Sequence, residues 1–298
     1  KKSVLISRLA MLSSGILMGN VGLIISFLSR FSVFTIVFFR GLFGIAFLSL
    51  VLLINKSITV RFIIDVFKKY WKWLLIILLI NPLVIYFYFV NILMYNYSIA
   101  AFLLYTGGIF LLIFLLVFKE EKVSLINIGG FIIAIVGIAI IMEFWNGKFF
   151  SLGLFIGLLS GITLGILTFS KKKIYNSIKK QEKELSSEGD INTFLAWWGT
   201  LGLIIFFLPF GGGNLFQLNL FELVICILLG LLPTALAFTL YNIGIRNDKG
   251  GNIVILSYFE PVVATLNTII FLREFSIFTI IGGSLILLAN FVILRYSK

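Results

Sequence analysis

Histidine is absent from this chain of 298 residues, and cysteine occurs once, as Cys226 within an apolar run. Without histidine, the chain lacks the side chain most often used for acid–base catalysis and zinc binding. A single cysteine excludes an internal disulfide and a cysteine metal cluster. No GxxxxGK[ST] motif occurs, which excludes ATP hydrolysis by a P-loop in this chain. We therefore expect no enzyme, no cofactor and no metal.

Charged residues are also scarce, at 12% of the chain, whereas 60% of residues are apolar. Apolar runs of about twenty residues alternate with short polar breaks, and a helix of that length crosses a bilayer. The pattern predicts an all-α polytopic membrane protein with ten transmembrane helices. Their predicted ranges are 8–28, 32–54, 72–95, 97–118, 124–142, 149–170, 191–210, 219–245, 250–272 and 277–295.

The net charge of +12 does not indicate nucleic acid, because the basic residues are concentrated in alternate loops. With the helices above, twenty basic residues fall on the side of the N terminus, and three fall on the other side. Since basic loops stay in the cytoplasm, we predict a plasma (inner) membrane protein with both termini cytoplasmic. Lys171 to Asp190 is predicted to form one charged loop, in which Lys171–Lys173 contact lipid headgroups.

The second half of the chain repeats the first. An offset of 153 residues carries Asn81 to Thr234, Tyr88 to Tyr241, Tyr105 to Tyr258, Glu121 to Glu274 and Gly129-Gly130 to Gly282-Gly283. Ser14 to Gly19 likewise matches Ser160 to Gly165. Five helices per copy is an odd number, so the second copy should insert upside down. We predict two inverted five-helix repeats, residues 1–146 and 147–298.

Several short motifs carry a family resemblance. They are Gly19-Asn20, Arg40, Phe118 to Ser124, Phe259 to Ala264 and Phe271 to Ser276 with the following glycine pair. In these motifs the chain resembles the EamA-type transporters of the drug/metabolite transporter (DMT) superfamily, over essentially its whole length. The resemblance implies a secondary-active transporter but no particular substrate. Where that family often has a proline, the first copy has Thr106-Gly107-Gly108, so the glycines either bend helix four or leave it straight.

A polar stripe follows the predicted third helix at Asn81, Tyr88, Asn91 and Tyr95, which share one face. Such side chains must face protein or a cavity, since hydrocarbon leaves their hydrogen bonds unmade. One interpretation is hydrogen bonding between helices. We favour the other, a cavity lining, because the repeat places Thr234 and Tyr241 in the same pattern.

Two charged residues fall within the predicted spans. Arg40 in helix two could snorkel outward, pair with a carboxylate such as Glu260 or bind an anionic substrate group. Glu260, next to the helix-distorting Pro261, could hold its helix in place, couple protons or recognise an amine. Glu121 and Glu274, at the membrane edge, suit the N-terminal dipoles of the helices that follow them.

These patterns predict a transporter that moves a small organic metabolite, such as an amino acid, an amine or a drug-like compound, by alternating access. The predicted substrate-binding residues are Asn20, Arg40, Asn81, Tyr88, Tyr105, Tyr241, Tyr258 and Glu260. Membrane lipids are expected partners, and protons are the candidate coupling ion. The alternative is a channel or lipid-handling membrane protein without coupled transport.

Overall fold

A computed structural model describes residues 2–54, 60–118, 125–141, 143, 145, 151–180, 188–246, 254–274 and 276–296. None of these residues lies in a β-strand, so the all-α prediction is confirmed for this part of the chain. The first half contains α1 (Lys2–Met18), α2 (Val21–Ser26), α3 (Val33–Ile54), α4 (Val60–Met94), α5 (Tyr97–Tyr105), α6 (Gly107–Val117) and α7 (Leu125–Ile141). The second half contains α8 (Leu152–Lys180), α9 (Glu188–Gly211), α10 (Leu220–Gly230), α11 (Ala237–Arg246), α12 (Phe259–Asn267) and α13 (Ile277–Tyr296).

Many of these helices are built for a bilayer. Within the described ranges, seven helical segments are long and apolar enough to cross one, and they are Val4–Ser26, Val33–Ile54, Phe62–Met94, Tyr97–Val117, Leu152–Ile178, Ile191–Gln217 and Leu220–Arg246. Shorter apolar helices cover Ile132–Ile141, Leu256–Leu272 and Ile277–Ala289. Large apolar side chains such as Leu53 and Leu125 point outward, at 75% and 86% exposure. The chain is a multi-pass membrane protein.

Several helices extend beyond their predicted ends. α8 continues to Lys180 and α9 begins at Glu188, so the predicted loop from Lys171 to Asp190 was wrong for residues 171–180 and 188–190. Lysine is a good helix former, and the basic run therefore does not stop the helix. α4 begins at Val60 rather than at 72, because Val66, Tyr70 and Leu74 form a buried stripe at four-residue spacing.

Irregular segments interrupt several helices. Thr106 separates α5 from α6, so the predicted fourth helix is broken directly before its glycine pair. A π-helical segment, Leu231–Leu236, joins α10 to α11 and contains Pro233. A 3₁₀ turn, Val254–Tyr258, precedes α12, which puts Pro261 in the first turn of that helix. A proline there costs no helical hydrogen bond, since the first-turn N–H groups have no partner within the helix.

The helices pack chiefly in pairs that join the two halves of the chain. α3 packs on α9, α4 on α8, α1 on α11 and α7 on α13. The buried core runs along these contacts and includes Met11, Phe39, Phe89 and Phe194. Consequently most of the interior lies between residues of different halves rather than within one half.

Two close helix contacts, each of which joins the two halves of the chain, resemble each other in detail. A Cβ atom on Gly19 would lie 2.8 Å from the carbonyl oxygen of Glu260, and one on Gly165 would lie 3.1 Å from that of Gly107. Only glycine permits either approach. Glu260 follows Gly107 by 153 residues, which is the offset of the predicted repeat. Gly157, Gly161 and Gly165 of α8 therefore serve close packing against α5 and α6.

Candidate functional site

A small cavity of about 60 Å³ lies among helices from both halves of the chain. Its charged and polar lining consists of Arg40, Asn81, Tyr88, Tyr105, Lys171, Tyr241 and Glu260. Apolar and aromatic side chains complete it, and they are Met18, Val21, Val84, Ile85, Leu104, Leu164, Leu167 and Phe238. Six of the eight predicted site residues line this cavity.

Arg40 is held by the irregular segment between α10 and α11. Its side chain is buried, with Nε donating to Thr234 Oγ1 at 2.9 Å and Nη2 donating to the Pro233 carbonyl at 2.8 Å. Thr234 in turn donates to the carbonyl of Leu229 at 2.9 Å, a bond that the π-helical register allows. The predicted repeat pairs Thr234 with Asn81. Asn81 lines the cavity, and Thr234 holds Arg40 in its lining.

Glu260 reaches the cavity from the first turn of α12. Its carboxylate accepts a hydrogen bond from the Tyr105 hydroxyl at 2.8 Å, and Tyr88 lies next to it. The sequence left Glu260 open as an ion-pair partner of Arg40. Among the described residues, no ion pair joins these two side chains. Arg40 and Glu260 therefore face the same cavity through separate hydrogen-bond networks.

Asn81 and Tyr241 tie lining helices to their neighbours while they face the cavity. Asn81 Nδ2 donates to the Gly199 carbonyl at 2.8 Å, which fastens α4 to α9. The Tyr241 hydroxyl lies 3.2 Å from Thr168 Oγ1, which links α11 to α8. These contacts are the interhelical bonds that the first interpretation of the polar stripe required. Lining a cavity and bonding between helices are thus compatible for these residues.

Two predicted site residues do not line the cavity. Asn20 lies at the break between α1 and α2, where its Nδ2 donates to the Ile16 carbonyl at 2.8 Å and its Oδ1 lies 3.1 Å from Asn267 Nδ2. Tyr258 is buried behind the lining, with its ring edge-on to Tyr105 at 5.1 Å. Both are one layer away from the residues that meet in the cavity.

Lys171 lines the cavity, although it was predicted to lie in a loop at the membrane surface. It is 4% exposed, so the prediction that it contacts lipid headgroups was wrong. The signal that could have found it is helical spacing: Leu164, Leu167 and Lys171 lie three and four residues apart, on one face of α8. Because lysines at the end of a span are usually read as signals of membrane orientation, a cavity residue among them is easily missed.

A second, more polar pocket of about 270 Å³ lies where α5 and α13 begin. There Glu274 accepts a hydrogen bond from Asn96 Nδ2 at 2.9 Å, while Asn96 Oδ1 caps α5 by accepting from the backbone of Ile99. Ser276 caps α13 through the backbone N–H of Thr279 at 3.3 Å. Glu274 therefore lies beside helix N-termini, as its sequence position suggested. Glu121 lies outside the described residues.

A bundle of membrane-spanning helices that surrounds a buried polar cavity has the architecture of a membrane transport protein. The model of the EamA-like transporter family matches residues 151–295. This match covers just under half of the chain, and it shows that the second half is similar to the EamA-like transporter family, which belongs to the DMT superfamily. The family resemblance seen in the sequence is thereby confirmed.

Comparison with solved structures gives the same fold along the whole chain. One crystal structure of a protein matches with a TM-score of 0.67 and 15% sequence identity, covering 100% of this chain and 97% of that one. At this identity the likeness shows the fold alone. No curated protein matches the sequence.

Proposed function

We propose that this chain is a secondary-active transporter that moves a small organic metabolite by alternating access. The observation that carries the proposal is the cavity to which both halves contribute charged and aromatic side chains. Arg40, Tyr88 and Tyr105 come from the first half, and Tyr241 and Glu260 come from the second. A site built from two halves can face either side of the membrane as the halves move.

Ten membrane-spanning helices in two inverted repeats, residues 1–146 and 147–298, form the framework of this proposal. The matched glycine contacts of α1 with α12 and of α8 with α6 support it, because they recur at corresponding positions of the two halves. The pairing of helices across the halves also supports it, since α4 on α8 corresponds to α11 on α1. The basic residues favour an orientation with both termini in the cytoplasm.

The size of the cavity favours movement over a fixed pore. Binding sites for drug-sized ligands measure roughly 300–1,000 Å³, and this cavity encloses about 60 Å³. A metabolite of ordinary size enters only if the lining helices separate. We therefore assign the structure to a closed state, in which the substrate site is narrowed between the two halves.

The test is counter-flow in liposomes that contain the purified protein. Liposomes loaded with an unlabelled solute from a panel of amino acids, amines, sugars and nucleobases are exposed to the same labelled solute at low concentration. A carrier gives saturable uptake that the internal solute stimulates, and Arg40→Gln should weaken it without removing the protein from the membrane. Flux that rises linearly with concentration would instead support a channel.

A further inference from the structure

Lys171 is buried in the cavity, with 4% of its surface exposed. Its Nζ lies 5.5 Å from the centre of the Tyr241 ring and 5.9 Å from that of Phe238. Within the described part of the chain, no hydrogen bond or carboxylate reaches this Nζ, and the ion pair found there joins Arg30 to Glu222. Two aromatic rings are therefore the described groups that face the Lys171 ammonium.

The second cation of the cavity contacts the same ring. Arg40 Cζ is 5.3 Å from the centre of the Phe238 ring, which Lys171 also contacts. Against these two basic groups the described lining holds one carboxylate, Glu260, which already accepts a hydrogen bond from Tyr105. The lining thus has an excess of basic groups, and that excess is concentrated around Phe238.

Burying an ammonium group without an acceptor is costly, because it gives up its hydration and gains no hydrogen bond in return. Cation–π contacts with Tyr241 and Phe238 recover only part of this cost. A ligand that brings a negative group to Lys171 would recover more, since hydrogen bonds between ionised partners are about twice as strong as neutral ones. The arrangement therefore favours an anionic ligand.

Resting on the transport function proposed above, we propose that the substrate is a small organic acid and that Lys171, together with Arg40, binds its carboxylate. The ammonium donates to one carboxylate oxygen, and the guanidinium, which contacts the same Phe238 ring, adds a second positive charge. An amine of similar shape is disfavoured, because its charge would repel both basic groups. Lys171 is in this proposal a substrate-binding residue.

The first measurement compares ligands that differ only in charge. Purified wild-type protein in detergent is titrated with benzoate, benzamide and benzylamine, and with propionate, propionamide and propylamine, by thermal shift and isothermal calorimetry. Lactate, succinate and a set of amino acids extend the carboxylates, and inorganic phosphate and methanesulfonate supply other anions. We expect one or more carboxylates to bind saturably while the matched amide and amine do not.

The second measurement assigns the binding to Lys171. Lys171→Met keeps an unbranched side chain only one atom shorter and removes its charge. It should raise the melting temperature because an unneutralised buried charge is lost. Carboxylate affinity should fall about 10- to 150-fold, the effect of losing one hydrogen bond to a charged group. Lys172→Met is the matched control, since its partly exposed side chain does not line the cavity. Lys171→Arg should retain part of the affinity.

Each other outcome overturns the inference. An organic acid is not the substrate if only amines or amides bind, or if no carboxylate binds. If only phosphate or sulfonate binds, the proposed carboxylate ligand is wrong. If Lys171→Met raises the melting temperature but leaves carboxylate affinity unchanged, Lys171 is not a binding residue. Saturable counter-flow of an amine or sugar would keep the transport function while this inference fails. Absence of saturable counter-flow for every solute would contradict the transport function itself.

Discussion

Arg40 and Glu260 show what a sequence reveals about single residues in a membrane. Each is conspicuous because a charge within a span is rare and costly. Their partners were not predictable from local spacing, because Thr234 is 194 residues from Arg40 and Tyr105 is 155 residues from Glu260. The position of Lys171 in the cavity was not predicted for the opposite reason, since a lysine near the end of a span is common.

Glu260→Gln tests whether this carboxylate couples protons. Glutamine keeps an oxygen that can accept the Tyr105 hydrogen bond, so the melting temperature should change little. It removes the ability to gain and lose a proton. We expect counter-flow exchange to survive and accumulation driven by a pH gradient to be lost, as measured in the same liposomes.

Glu274→Gln is the matched control for this substitution, because Glu274 lies at a helix end outside the cavity. It should leave both exchange and gradient-driven uptake unchanged. If Glu260→Gln retains gradient-driven accumulation, Glu260 is not the coupling group. If it abolishes exchange as well, its role is in binding or in holding α12.

Among the helices, apolar runs predicted which segments exist but not where neighbouring helices touch most closely. The predicted repeat makes Gly129-Gly130 and Gly282-Gly283 equivalent positions, but no atom lies within 4 Å of a Cβ placed on Gly129. The close contact is about two helical turns further along α7, where a Cβ on Gly137 would lie 2.7 Å from the Gly282 carbonyl oxygen. Sequence repetition identifies equivalent positions, whereas the crossing point depends on how α7 and α13 are oriented.

Gly137→Ala should therefore destabilise the protein. The added methyl group would be 2.7 Å from the Gly282 carbonyl and 2.9 Å from Ile286 Cγ1, so α7 and α13 must move apart. Overpacking of this kind costs about 1–3 kcal/mol. Gly129→Ala on the same helix meets no atom within 4 Å and should be neutral, or stabilising by up to ~1 kcal/mol. Thermal unfolding in one detergent measures both; equal melting temperatures would show that the crossing tolerates a methyl group.

At the scale of the whole molecule, the orientation in the membrane rests on the distribution of basic residues. Lys171 is now assigned to the cavity, but the other basic residues still favour the same side. A single-cysteine series in a Cys226→Ala background tests this, since Cys226 is fully buried in α10. Gly147→Cys should react with an impermeant maleimide in intact cells, and Ser186→Cys should react only after permeabilisation. The reverse pattern would invert the proposed orientation.

Alternating access requires helix ends at the two membrane faces to separate in turn, whereas a fixed pore does not. Arg30, which follows α2, forms an ion pair with Glu222 in the first turn of α10, and it also donates to the Gln217 carbonyl at 2.6 Å. Glu222 completes a capping box with Asn219, which fixes its carboxylate at the start of the helix. This cluster joins the two halves at the membrane face that we propose is extracellular. The two halves must separate here whenever the cavity opens to that face.

Joining Arg30→Cys to Glu222→Cys with a short, reducible bifunctional thiol reagent should therefore stop transport. The Cys226→Ala background keeps the reagent from other cysteines, and the two single-cysteine variants treated in the same way control for loss of the ion pair and the cap. We expect counter-flow to fall to the level of empty liposomes after cross-linking and to return after reduction. Carboxylate binding from the opposite face should survive the cross-link. Full transport by the cross-linked protein would show that these ends need not separate, and it would contradict alternating access between the two halves.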